Sequence, residues 1–437
     1  NVDKNNLGNS LDKYLQDLIS KSNPKHLKTF DNFSPGKDYI NYSGQVWDEE
    51  ELSAAINSLL SGKWITAGER VEQFQIRFSR KYGVKNSHMV NSGSSANLVM
   101  IASLKAHLNW YDDDEIIVSP VGFPTTIAPI VQNRLKPVFI DIEFKTLNFD
   151  VNKIEEKITP KTKAIFVSPV MANPPDMDRL IYFSLKYNIK LIGDNCDSLG
   201  TKWDGRLITD FYYSWTTSFY PAHHMSTGEG GMISSNDKLL IDTARSISWW
   251  GRDCYCIGSN NLLANGSCGN RFDCWLPEYD GIIDHKYVFA HMGYNLKPLD
   301  LQGAIGLVQL KKVDSFDKKR RLHKLRLEKI LKDNLDISTP DTLSKSDPCW
   351  FGVPVICKSQ EQKEKLVNFF EKNKIQTRNY FAGNVLLHPG YKHLDIAANY
   401  PNANKALSHV FILGCPPFWN DKVFSYIEKV VKLASQE

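Results

Sequence analysis

At 437 residues the chain is longer than a typical single domain and has ample material for a full core. Its net charge of +4 is spread without a long basic run, and no apolar stretch is long enough to span a bilayer, so nucleic acid and membrane have little support as partners, while a small anionic ligand stays open. Eight cysteines are too few for a disulfide scaffold, and the polar start Asn1-Val2-Asp3-Lys4 does not read as a secretion signal, so the expectation is a cytoplasmic chain whose cysteines are thiols or metal ligands.

In chain order, Leu11, Tyr14, Leu15, Leu18 and Ile19 have helical spacing behind the N-cap residue Ser10, which predicts a helix to about Leu27. An extended stretch around Tyr39 to Gly44 follows, then helices from about Glu49 to Leu60 and from Val71 to Tyr82, separated by Trp64-Ile65-Thr66-Ala67-Gly68. Val90-Asn91-Ser92-Gly93-Ser94-Ser95-Ala96-Asn97-Leu98 reads as a strand end, a small-residue turn and the start of an apolar helix. Hydroxyls and free backbone N–H groups at a helix N-terminus suit an anion, although most such turns are mere caps.

Glu115 to Pro120, Lys136 to Asp141, Ala164 to Ser168 and Ile189 to Asp194 are short apolar runs separated by helical segments. That rhythm predicts an α/β fold with a mainly parallel sheet whose ligands collect at the carboxyl ends of its strands. Past Asp194 stands Cys196, and later come Cys254-Tyr255-Cys256, Cys268 and Cys274. Clustered thiols of this kind have three readings: buried thiols without function, a zinc site, or an iron–sulfur cluster. A charged helix from Lys318 to Asp333 then leads to a strand-like Trp350 to Cys357, a helix near Gln360 to Lys372, and Thr377-Arg378-Asn379-Tyr380-Phe381-Ala382-Gly383-Asn384.

The stretch Ser218-Phe219-Tyr220-Pro221-Ala222-His223-His224 with Gly228-Glu229-Gly230-Gly231 resembles the signature of sugar aminotransferases that use pyridoxal phosphate, except that His223 stands where they carry lysine. An imidazole can move protons but cannot tether the cofactor aldehyde. Histidine there, a cysteine just past Asp194 and a later Cys-x-Cys with a further cysteine are together similar to the iron–sulfur sugar 3-dehydrases that make 3,6-dideoxyhexoses. The likeness runs from about Tyr42 to about Pro389.

This resemblance implies the aspartate aminotransferase fold: a large domain with a mainly parallel seven-stranded sheet over residues 61–312, a smaller C-terminal α/β domain over 313–437, and an N-terminal segment, 1–60, packed on the body. It implies pyridoxamine phosphate and a [2Fe–2S] cluster as cofactors. Gly93, Ser94, Ser95 and Ser218 would hold the phosphate, Phe123 would cover the ring, Asp194 would partner its nitrogen, and Asp197 stands where relatives have Gln or His near the ring hydroxyl. His223 would be the base, and Cys196, Cys254, Cys256 and Cys268 the cluster ligands, with Cys274 as rival for the last. Asn295, in His291-Met292-Gly293-Tyr294-Asn295-Leu296-Lys297, would reach the phosphate of a second subunit in an obligate homodimer, and Arg378 would pair with the diphosphate of the substrate. The implied activity is C3 deoxygenation of a CDP- or dTDP-linked 4-keto-6-deoxyhexose, with a flavin-containing, NAD(P)H-dependent reductase as electron-supplying partner. The runners-up are a redox-independent 3-dehydratase that uses the same histidine without a cluster, and a non-catalytic sugar-binding relative.

Overall fold

Runs such as Glu115-Ile116-Ile117-Val118 have no polar alternation, so both of their faces must be covered. The computed structural model, which describes residues 4–22, 24, 27, 30–253, 271–273 and 276–436, places them inside a seven-stranded sheet. Its strand order is Asn86–Val90, Gly231–Ser235, Ser214–Ser218, Lys190–Asp194, Thr162–Val167, Glu115–Val118, Lys136–Phe139. Neighbours are parallel throughout, except that Gly231–Ser235 runs antiparallel to both strands beside it. This is the expected mainly parallel α/β sheet.

Two strands escape an apolar-run reading because they are built from hydroxyls: Ser214-Trp215-Thr216-Thr217-Ser218 and Gly231-Met232-Ile233-Ser234-Ser235. Their buried hydroxyls have partners, as where Ser214 Oγ donates to the Ser234 carbonyl at 3.1 Å. Alternation along Ser214–Ser218 serves the two faces differently. Trp215 packs at 5.8 Å on Phe78 of the helix Glu69–Lys81, whereas Thr216 points toward Asn97 on the helix Gly93–His107.

The sequence predicts a helix over Lys318–Asp333, but the structure has one helix of 35 residues from Asp300 to Asn334, about 50 Å long. The two glycines in its first turns explain the early start. A Cβ on Gly303 would lie 2.4 Å from the Val71 backbone, and one on Gly306 2.6 Å from the Phe74 ring, so this end docks flush on Glu69–Lys81. The N-terminal helix also differs: it spans Lys4–Ser22, with Ser10 inside it rather than capping it, and Pro24, which has no N–H to donate, lies just beyond its end.

A second sheet contains Gly352–Ile356, Val410–Gly414 and Arg378–Asn379 in that order, all antiparallel. The helix Gln360–Lys372 packs with it, and Asp421–Ala434 packs with that helix and with Asp300–Asn334. One buried apolar cluster joins the two sheets, taking in Val170 and Ile192 as well as Phe351 and Phe411. Among the described residues no helix is long and apolar enough to cross a membrane.

Phe78 is fully buried between Tyr82 (4.7 Å) and Trp215 (5.8 Å). Phe78→Ala is therefore expected to cost about 3–5 kcal/mol, read as a lower urea midpoint of unfolding.

Candidate active site

The carboxyl ends of Lys190–Asp194 and Ser214–Ser218 lie side by side, with Thr216 opposite Asp194 in register, and the turn before Gly93–His107 abuts them. Ser92 caps that helix, accepting the Ser95 N–H at 3.0 Å. Together these elements wall a cleft of about 640 Å³. Gly93, Ser94, Phe123, Asp194, Asp197 and Ser218 all line it, as do Cys196, His223 and Arg378.

At the phosphate-like end, a Cβ on Gly93 would stand 2.5 Å from Ser218 Cβ and 3.0 Å from Cys196 Sγ, so only glycine lets these three elements meet. Ser94 Oγ bonds Thr125 Oγ1 at 2.8 Å, and Ser218 Oγ accepts the Tyr220 N–H at 3.2 Å, which leaves the Ser218 proton free to donate. The Ser95 N–H and hydroxyl are both engaged with Ser92 Oγ, and Ser92 rather than Ser95 lines the cleft.

Asp194 is a buried carboxylate with its acceptors engaged: Oδ2 takes Asn97 Nδ2–H at 2.8 Å and the Thr126 hydroxyl at 2.6 Å, and Oδ1 takes the Cys196 N–H at 3.2 Å. Asn97 is oriented in turn by the Thr216 hydroxyl, 2.6 Å from its Oδ1. Sequence reading missed Asn97 and Thr126. The available signal was a lone amide inside the apolar run Ala96 to Ile101.

His223 lies against Phe351, ring centroids 5.1 Å apart, with its Nδ1 3.7 Å from Asp197 Oδ1. That separation is too long for a hydrogen bond, and Nδ1 has no partner. Burial pulls the imidazole down to about 4, and burial followed by the Asp194 charge pushes the Asp197 carboxyl up to about 8. Both shifts favour an uncharged pair near neutrality, so this contact is not an ion pair there. His224 faces elsewhere, with Nε2 2.7 Å from the Cys349 carbonyl. Arg320, buried on the long helix, donates to the carbonyls of His223 at 3.1 Å and Phe351 at 3.3 Å and so fixes the backbone on both sides of the imidazole. In sequence it looks like one cation in the run Lys318-Lys319-Arg320-Arg321.

Phe123 is half exposed and meets Phe381 edge-on at 5.9 Å. Arg378 lies over the Tyr42 ring at 4.4 Å. Asn295 is exposed and does not line its own chain's cleft. Of the cysteines assigned to a cluster, Cys196 is described; Cys254, Cys256 and Cys268, and the rival Cys274, lie outside the described residues. Among the described residues no group of three or more metal-ligating side chains comes together. An anion cradle at a helix N-terminus, a strand-end carboxylate, an aromatic wall and an unpartnered imidazole nitrogen fit a phosphorylated pyridine cofactor.

Residues 46–432 match the model of the DegT/DnrJ/EryC1/StrS aminotransferase family. The chain belongs to that family. It is 36% identical over 403 residues to a dTDP-4-dehydro-2,6-dideoxy-D-glucose 3-dehydratase of Saccharopolyspora spinosa, covering 90% of this chain and 86% of that protein. It is 35% identical to the lipopolysaccharide biosynthesis protein RfbH of Salmonella typhimurium, covering 90% and 91%. Among solved structures, an E. coli GDP-4-keto-6-deoxy-D-mannose-3-dehydratase with bound hydrated PLP superposes with a TM-score of 0.78 at 29% identity, covering 90% of this chain and all of that one.

For this member of the DegT/DnrJ/EryC1/StrS family, Gly93→Ala is expected to weaken pyridoxal phosphate binding at least about tenfold while the protein stays folded, since the added methyl collides inside the cradle. Equilibrium titration followed by cofactor absorbance reads the affinity, and circular dichroism checks the fold.

Proposed function

We propose that this chain removes the C3 hydroxyl of a nucleotide-linked 4-keto-6-deoxyhexose, using pyridoxamine phosphate held without a covalent bond and electrons passed singly from a [2Fe–2S] cluster. One observation carries the reading: His223, at the position where the aminotransferase signature has lysine, shares a cleft with Asp194 and Cys196. Relatives named as sugar 3-dehydratases, matched over most of their length, support the same reaction class.

When bound, pyridoxamine supplies an amine that condenses with a ketone and a ring that accepts electron density from C4′, and the cluster supplies one-electron reduction. The residues of the chain do the rest. Ser94 and Ser218 offer hydroxyls, beside the N-terminal N–H groups of Gly93–His107, to a phosphate, and Ser95, whose oxygen accepts from Ser92, keeps its own proton to donate. Asp194, immobilised by Asn97 and Thr126, holds a proton on a pyridine nitrogen. Phe123, which lines the same cleft, would cover one face of the ring. His223, uncharged near neutrality, is free to take a proton from C4′, while Asp197 and Phe351 limit how its ring can turn. Cys196, whose thiol is pushed well up by burial and then by Asp194, becomes a thiolate only on coordination by a metal, which deprotonates a thiol outright. Cys254, Cys256 and Cys268 complete the proposed ligand set, Asn295 serves the cleft of a second copy, and Arg378 pairs with the diphosphate of a CDP- or dTDP-linked sugar. A flavin-containing, NAD(P)H-dependent reductase refills the cluster.

Anaerobically purified protein is expected to hold about two irons per chain and a visible chromophore that Cys256→Ser removes. Turnover of candidate nucleotide sugars should then require an electron-donating reductase. A colourless, iron-free enzyme active without reductase would instead be the redox-independent 3-dehydratase. For the base, His223→Asn is expected to retain pyridoxamine phosphate while losing exchange of the C4′ proton with solvent, followed by deuterium incorporation; unchanged exchange would take the role away from His223.

A further inference from the structure

We propose that Tyr42 is a substrate-positioning residue whose ring seats the Arg378 guanidinium for the diphosphate of a nucleotide sugar. This rests on the nucleotide-sugar reading of the cleft and adds the group that orients its arginine.

Tyr42 belongs to neither sheet, yet its backbone is stitched on both sides. The Ile40 N–H donates to the Lys374 carbonyl at 2.8 Å, Trp419 Nε1–H to the Asn41 carbonyl at 3.1 Å, and the Ser43 hydroxyl to the Ala222 carbonyl at 2.9 Å. A Cβ on Gly414 would stand 1.8 Å from the Tyr42 carbonyl oxygen, so the strap lies flush on the second sheet. The tyrosine ring is thus delivered to the cleft wall at a fixed place, beside the loop that carries His223.

Arg378 lies 4.4 Å from the centre of that ring, and its Nη1 donates to the Thr377 carbonyl at 2.8 Å. No carboxylate among the described residues pairs with it, so its charge is unneutralised in a cleft open to solvent. A carboxylate partner would consume the same N–H donors that a phosphate needs and cancel the charge. A ring face instead holds the planar guanidinium and leaves its edge available for bidentate bonds. Holding the long side chain before the ligand arrives reduces the ordering entropy lost on binding.

The test uses cofactor-loaded protein and equilibrium binding of CDP, dTDP and GDP, each alone. Arg378→Ala is expected to weaken the best-bound nucleotide about tenfold or more, as loss of a charge-assisted bidentate contact does. Tyr42→Leu is expected to weaken it about fivefold, the fold-change of an exposed cation–ring contact, and Tyr42→Phe by less than about twofold. With Arg378 already alanine, Tyr42→Leu should add no further loss. If Arg378→Ala weakens binding but Tyr42→Leu does not, or if the two losses simply multiply, the role of Tyr42 is overturned and the cleft reading stands. If Tyr42→Phe matches Tyr42→Leu, the hydroxyl rather than the ring acts and the inference also fails. If Arg378→Ala leaves every nucleotide unaffected, the nucleotide-sugar reading falls and this inference with it. Thermal unfolding of each variant separates loss of contact from loss of fold.

Discussion

A buried carboxylate is tolerated only when its lone pairs are met, and the architecture of the cleft turns on how Asp194 meets that demand. Its partners come from three places: Asn97 on the helix Gly93–His107, Thr126 on the helix Pro124–Gln132, and the backbone of Cys196 just past its own strand. Thr216 on the next strand fixes Asn97 in turn. Two helices and two strands therefore have one mutual arrangement in which no buried polar group is orphaned along this chain of bonds. In that arrangement Gly93, Ser218 and Cys196 approach so closely that a single methyl group would not fit among them.

The loop carrying His223 is fixed by a second set of bonds that reaches much farther along the chain. Arg320 holds its carbonyls from below. Gln309 accepts the Ser226 N–H at 3.0 Å while donating to the buried Glu51 at 2.7 Å, and Trp47 donates to the Ser226 carbonyl at 3.0 Å. The N-terminal strap and the long helix Asp300–Asn334 thus both end their bonding on one loop. That explains why a helix which reads in sequence as a charged connector carries a fully buried arginine.

What was legible in the sequence follows the same division. Asp194 stands out because an apolar run stops at it, Gly93 because it sits in a small-residue turn before an apolar helix, and Ser218 because it opens a recognisable signature, and the three do converge on one cleft. His223 stands out as a residue type unexpected within a signature. The residues that hold these in place were not legible, because their meaning lies in partners far away in sequence: Thr216 with Asn97, 119 positions apart, and Arg320 with His223, 97 apart. Three serines surround the helix start, and that Ser92 is the one spent on capping, accepting the Ser95 N–H and donating to the Ser95 hydroxyl, is decided by backbone geometry that composition does not carry.

A lysine tether would hold a cofactor by a covalent bond and would leave the surrounding contacts to tune it. With histidine at position 223 no such bond can form, so those contacts must do the holding, and the imidazole must be positioned by its own surroundings. The structure supplies restraints of both kinds: a cradle too tight for a Cβ at one end of the cleft, and at the other an imidazole confined by Phe351 at 5.1 Å, by Asp197 at 3.7 Å and by an arginine on its own carbonyl. Burial lowers the imidazole and raises its carboxyl neighbour, so neither need carry a charge near neutrality, and a neutral imidazole keeps the lone pair a base requires. A lysine buried in the same place would have to give up its proton or be left charged among apolar rings. The substitution and the aromatic, partly desolvated wall around it are therefore mutually consistent, and the same burial that lowers the imidazole raises the Cys196 thiol.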